Sequence, residues 1–216
     1  FNVGGLGIDN IWRLKLLSRE ELEHALDLNL LPYNLLITFH PVTLEYDTSA
    51  GQMDELLAAL SELDDTGLIF TMPNADTEGR VLFRKIEEFC AAHPNAKAYT
   101  SLGQLRYLSC VAHVDGVVGN SSSGLLEVPS FKKGTINIGD RQRGRLKAAS
   151  VIDCDPDRLS IIRALQQMFS NEFKCDLAAV KSPYGEGGAS GEIVKTLEET
   201  SLAGLLKKIF CDLVER

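Results

Sequence analysis

The sequence predicts an α/β fold: one doubly wound parallel sheet flanked by helices over residues 1–216. Three observations predict it. Short apolar runs alternate with stretches whose apolar residues recur at helical spacing. The connections between them are short, as in repeated strand–helix units. Runs such as Val114-Asp115-Gly116-Val117-Val118 and Thr135-Ile136-Asn137-Ile138 are nearly continuously apolar, as strands covered on both faces must be.

The elements follow in order. Asn34 to His40 is a buried strand with a polar end. Met53 to Leu63 is a helix, with Leu56, Leu57, Leu60 and Leu63 on one face. Gly67 to Met72 is a strand that Pro73-Asn74-Ala75-Asp76 breaks. A helix opens at Thr77 and runs to about Ala92. Ala96 to Thr100 is a short strand and Leu102 to Ala112 a helix. Val114 to Val118 is a strand ending at Gly119-Asn120, and Ser121 starts a helix that runs to about Pro129. Thr135 to Ile138 and Ala148 to Ile152 read as strands. Helices over Asp157 to Phe169, Ala189 to Glu199 and Leu202 to Val214 close the domain.

Composition limits the function. The 22 Lys and Arg stand against 30 Asp and Glu, a net charge of -8, and this excludes a general nucleic-acid binder, which needs a basic face. No apolar run has the roughly 18 residues a membrane span needs. The five cysteines are odd in number and form no Cys-x-x-Cys pair, so the expected setting is a reducing cytoplasm without a disulfide framework. The four histidines are scattered, which does not make a zinc cluster. No signal peptide is read at the start. The opening at Phe1 reads as a piece of a longer protein or a processed one.

In doubly wound sheets ligands bind at the carboxyl ends of the strands. The unusual polar residues fall there: His40, Asn74, Ser101, Asn120 to Ser123, and Asp140-Arg141. Gly119-Asn120-Ser121-Ser122-Ser123-Gly124 is the most informative stretch. Its small residues let a phosphate approach the unpaired amides of a helix start, and serine hydroxyls add donors. Plain N-capping explains one serine, not three in a row. No Gly-Lys-Ser/Thr follows, so it is not a Walker loop. Glu127 shares the helix face of Ser123 and could accept from a sugar diol, or simply favour the positive helix start. Arg141, with Arg143 and Arg145 behind it, forms a local positive patch suited to phosphate oxygens, or a solvated loop. His40 before Pro41 could serve as acid, base or phosphate donor. His113 reads as structural. The glycine-rich Tyr184 to Ser190 stretch could cover a ligand or begin a helix.

Together these motifs resemble the UDP-N-acetylglucosamine 2-epimerases, in particular the C-terminal half of the hydrolysing branch that makes N-acetylmannosamine for sialic-acid synthesis. The segments that carry the resemblance are Gly7-Ile8-Asp9-Asn10, Thr38-Phe39-His40-Pro41-Val42-Thr43, Thr71-Met72-Pro73-Asn74-Ala75-Asp76, Gly119 to Gly124 with Glu127, Ile138 to Arg145, and Pro183 to Gly187. Pro41-Val42-Thr43 stands where the non-hydrolysing branch has Arg-Arg-Glu-Asn.

The resemblance implies the Rossmann-like C-terminal half of a two-domain GT-B fold, with the active site in the cleft between the halves. It implies that Ser121 and Ser122 hold the diphosphate of UDP or UDP-N-acetylglucosamine and that Arg141 faces it. Glu127 would take the ribose hydroxyls. Ser101 and Leu102 would meet the uracil, largely through backbone. Asn74 would touch the substrate, and His40 would assist departure of UDP. It implies no cofactor, a homo-oligomeric full-length enzyme, and acid–base carboxylates in an N-terminal domain that this chain lacks. The 216 residues alone are then expected to be inactive. A GT-B glycosyltransferase domain and a non-catalytic nucleotide-binding regulator would use similar devices, and an enzyme acting on a diacetamido-trideoxy sugar nucleotide is a close alternative.

Overall fold

Successive side chains of a strand point to opposite faces, so a strand between two helical layers must be apolar throughout. Six strands build the sheet: β1 (Tyr33–Thr38), β2 (Thr66–Thr71), β3 (Ala96–Tyr99), β4 (Gly116–Gly119), β5 (Gly134–Ile138) and β6 (Val151–Cys154). In β1 the alternation divides the core: Leu35 and Ile37 join one apolar cluster and Leu36 the other. Leu68 and Phe70 oppose Ile69 in β2 in the same way, and Val118 opposes Val117 in β4. The computed structural model describes residues 1–42, 48–73, 77–201 and 203–204.

All five strand pairings are parallel, in the order β3-β2-β1-β4-β5-β6. Helices α3 (Ser49–Leu60), α4 (Thr77–Ala92) and α7 (Arg158–Phe169) cover the first face through Met53, Leu56, Leu82, Ile86, Ile161 and Leu165. Helices α2 (Arg19–Leu26) and α5 (Gly103–His113) cover the second through Leu22, Leu26, Cys110 and Val111. This is the doubly wound, Rossmann-like fold predicted from the alternation. After β1 the chain turns to the first face, and after β4 to the second. The crevice at their carboxyl ends is therefore the topological switch point.

Several boundaries differ from expectation. The helix expected to run from Ser121 to Pro129 begins at Ser123 and ends at Leu126 (α6), and Val128–Phe131 follow as a 3-10 turn. Pro129 has no N–H to continue an α-helix. The last strand is Val151–Cys154 rather than 148–152, because the Val151 N–H bonds the Ala148 carbonyl in a turn at 3.1 Å. Its Asp153 is tolerated at the sheet edge, where Asn137 and Lys147 bond it at 2.7 Å. His40 lies past the end of β1 and not on it. Of the helix expected over 202–214, only residues 203 and 204 are described, and they form a turn.

Helices α1 (Leu6–Arg13), α2 and α8 (Asn171–Asp176) were not predicted. The signal for α2 was present: Ser18 and Glu21 form a reciprocal capping box, with bonds of 3.2 and 2.8 Å.

The two ends of the domain meet at α1 and α9 (Ala189–Glu199). Asp9 accepts from the N–H groups of Ala189 at 3.1 Å and Ser190 at 2.8 Å, and from the Ser190 hydroxyl. These bonds, the hydroxyl's foremost, hold the Asp9 carboxyl below its ordinary value. A depressed folded value means stabilisation that is full above the ordinary carboxylate range and lost as pH falls through the lowered value. Asp9→Ala is expected to free the start of α9 at neutral pH, seen as faster amide exchange at Ala189 and Ser190 with the strands unchanged. Unaltered exchange there would show that Asp9 does not hold α9.

Candidate functional site

The site is framed by the ends of β1 and β4, which are paired with Thr38 opposite Gly119. Gly119 has φ +139, and a Cβ on it would lie 1.9 Å from the Thr38 carbonyl oxygen. This close approach lets the Asn120 N–H donate to that oxygen at 3.2 Å. The Asn120 side chain, 1% exposed, then clamps the His40 backbone. Its Oδ1 accepts from the His40 N–H and its Nδ2 donates to the His40 carbonyl, both at 2.8 Å. The Asn120 carbonyl accepts from Arg141 Nη1 at 3.0 Å and from Gln142 Nε2 at 2.7 Å. One asparagine thus joins the His40 segment, the serine segment and the arginine loop. Arg141 is exposed, with its guanidinium at the peptide that leads into Ser121.

Ser121, Ser122 and Ser123 are partly exposed and do different things. The Ser121 hydroxyl accepts from the Ser123 N–H at 3.4 Å. Ser122 is the N-cap of α6, yet its side chain makes no capping bond. The amides of Ser121 and Ser122 have no partner among the described residues. The Ser123 hydroxyl donates to Glu127 Oε2, and Tyr107 donates to Ser123 Oγ at 2.8 Å. Capping therefore does not account for the three serines.

Glu127 lines a cavity of about 560 Å³ at the carboxyl ends of β2 and β3. Ser101, Leu102, Tyr107, Thr71 and Pro73 line it too. The turn into α5 shapes one wall, where the Ser101 hydroxyl accepts from the Gly103 N–H at 3.2 Å. A Cβ on Gly7 would lie 3.4 Å from Glu127 Oε1, so the N-terminal segment comes close to this carboxylate. The structure thus brings Ser101, Leu102 and Glu127 to one cavity, and groups Ser121, Ser122, Arg141 and His40 around Asn120. Asn74 lies outside the described residues.

Other candidates resolve to structure. His113 Nε2 is 2.9 Å from the Leu17 carbonyl, consistent with the structural reading. The glycine-rich stretch ends with Gly188 as the N-cap of α9 and ties the Tyr184 carbonyl to the Gly5 N–H at 2.8 Å. Burial pushes the Cys110 and Cys154 thiols up to about 12 and Cys90 to about 11, so none of these three is a ready thiolate. Among the described residues no group of three or more His, Cys, Asp or Glu could hold a metal, and no helix is long and apolar enough to cross a membrane.

Sequence reasoning gave no role to Tyr107 or Gln142, and read Gly119 only as one of the small residues that let a phosphate approach. Gly119 carried a signal, a glycine between a strand and a polar turn. Tyr107 and Gln142 carried none, because their partners come from other elements.

The fold defines a doubly wound α/β domain with a candidate site at the switch point. The chain belongs to the UDP-N-acetylglucosamine 2-epimerase family, whose sequence model matches residues 1–198. It is 38% identical over 215 residues to the GDP/UDP-N,N'-diacetylbacillosamine 2-epimerase (hydrolyzing) of Campylobacter jejuni, covering 99% of this chain and 56% of that one. It is 37% identical over 200 residues to the polysialic acid biosynthesis protein P7 of Escherichia coli, covering 92% and 51%. Among solved structures, the UDP-GlcNAc 2-epimerase of Methanocaldococcus jannaschii in complex with UDP-GlcNAc and UDP has a TM-score of 0.70 at 15% identity, covering 93% of this chain and 55% of that one. At that identity the likeness shows the fold. The chain spans about half the length of the curated relatives it matches.

Proposed function

We propose that this chain is the nucleotide-binding half of a hydrolysing UDP-N-acetylglucosamine 2-epimerase. The observation that supports it most is the placement of Ser101, Leu102 and Glu127 on one cavity, with the serine amides and Arg141 at the adjoining strand ends. In this reading the uracil meets the backbone at Ser101 and Leu102. The ribose hydroxyls donate to Glu127. The diphosphate takes the amides of Ser121 and Ser122, whose capping duties are slight, and a charge-assisted bond from Arg141. The reading extends to Asn74 as a substrate contact.

His40, held by Asn120 at the seam of β1 and β4, lies beside the diphosphate and assists its departure. The reaction removes the C2 proton of the sugar and breaks the C1–oxygen bond, so that UDP leaves and a glycal remains. Water then adds across the double bond, with hydroxyl at C1 and hydrogen at C2 in inverted configuration. The products are UDP and N-acetylmannosamine. The acid and base for these proton transfers are carboxylates of the other half of the protein.

Full-length protein given UDP-N-acetylglucosamine is expected to release UDP and free N-acetylmannosamine, and the 216-residue chain alone neither. A product that keeps its nucleotide would overturn the hydrolysing assignment, and UDP release by the chain alone would overturn the two-domain division of labour. His40→Ala should lower turnover more than UDP affinity. A second reading, a diacetamido-trideoxyhexose nucleotide as substrate, is favoured by the Campylobacter relative's stated activity at 38% identity. Parallel assays with the two sugar nucleotides decide between them.

A further inference from the structure

We infer that Tyr107, acting through Ser123, is a positioning residue that aims Glu127 at the ribose and so sets the preference for a ribonucleotide over a deoxyribonucleotide. The inference rests on the proposed role of Glu127 as ribose acceptor.

Glu127 is poorly placed to hold its own orientation. It is the C-cap of a helix only four residues long, and no cation is paired with it among the described residues. A carboxylate on so short an element keeps much of its rotamer freedom unless something bonds it. Two hydroxyls do. A carboxylate only accepts, so the Ser123 hydroxyl must be the donor to Glu127 Oε2. With its proton committed, Ser123 Oγ can only accept from Tyr107, whose hydroxyl lies 2.8 Å away. The direction of the relay is thereby fixed.

The far end of the relay is anchored by packing. Burial pushes the Tyr107 hydroxyl well above its ordinary ionisation range, which keeps its proton available as a donor. The aromatic ring packs against the second apolar cluster, so Tyr107 is itself fixed. The line Tyr107–Ser123–Glu127 therefore ties a carboxylate at the edge of the cavity to a ring held by the second apolar cluster. It engages Oε2 and leaves Oε1 with no protein donor among the described residues.

The test is the ratio of affinities for UDP and 2′-deoxy-UDP, measured by calorimetry on the 216-residue chain with unfolding midpoints alongside. Wild type should prefer UDP by about tenfold or more, the size of one hydrogen bond to a charged group. Glu127→Ala should bring the ratio close to one. Tyr107→Phe keeps the ring and loses only the hydroxyl. It should reduce the ratio to about a third of the wild-type value or less, with 2′-deoxy-UDP affinity unchanged within about twofold. Ser123→Ala should do the same. The double variant should match either single one, because both remove one relay.

A side chain with a merely structural role would weaken both nucleotides equally and leave the ratio alone. An unchanged ratio in folded Tyr107→Phe, with Glu127→Ala abolishing the preference, overturns the relay and leaves the ribose assignment standing. Equal ratios in wild type and Glu127→Ala overturn the ribose assignment and the relay with it. If Tyr107→Phe fails to fold, Ser123→Ala carries the same test and the same two outcomes.

Discussion

Gly119→Ala is expected to remove the folded state under conditions where wild type is stable. The added Cβ would fall 1.9 Å from the Thr38 carbonyl oxygen and 2.6 Å from its carbon. Both are backbone atoms of the neighbouring central strand, so no side-chain rotation relieves the clash. Thr38 is registered opposite Gly119, and moving it parts β1 from β4. The φ of +139 adds strain for any residue with a Cβ. The combined cost should exceed about 4 kcal/mol, a size reached only by defects of this kind. Gly103 supplies the control: its φ is +62, but a Cβ there meets open space. Gly103→Ala should cost only the left-handed backbone term, about 1–2 kcal/mol. Denaturant unfolding of both variants checks the contrast. A Gly119→Ala variant as stable as Gly103→Ala would mean that the strand ends are not held as described.

The second large effect is on binding. Arg141→Ala should cost UDP about tenfold to a hundredfold in affinity while leaving UMP much less affected, since a hydrogen bond to a charged group contributes roughly 1.5–3 kcal/mol. The frame should survive the substitution. Gln142 Nε2 still bonds the Asn120 carbonyl at 2.7 Å after Arg141 is gone. Glu127→Ala should instead weaken UDP and UMP about equally, because both carry the ribose. Calorimetry with the two nucleotides separates these patterns. Equal wild-type affinity for UDP and UMP would overturn the diphosphate role of the serine segment and Arg141.

Much of this was legible because it is written locally. The apolar runs of β1, β2, β4 and β5 announce strands covered on both faces, and the polar residues that follow them mark the carboxyl ends where the site lies. The misses have physical causes. Helix α6 is short because Pro129 interrupts it. Helix α1 has few local signals, with no side-chain cap at Gly5, and is held by α9 from the far end of the sequence. The capping box of α2 is a local signal at Ser18 and Glu21. Asn120 shows the limit most clearly. The sequence places it at a strand end, but its bonds to His40 and Arg141 depend on which strands are neighbours, and strand order is not local information.

That order also bears on how the molecule is assembled. β1 joins β2 through residues 33 apart, and β5 joins β6 through residues 16 apart. β1 and β4 meet through residues 81 apart. Closing a longer loop costs more chain entropy, so the two three-strand halves can form from near neighbours before the central seam joins them. The clamp at Asn120 straddles that seam. The crevice at these strand ends is therefore complete only when residues far apart in the sequence have met.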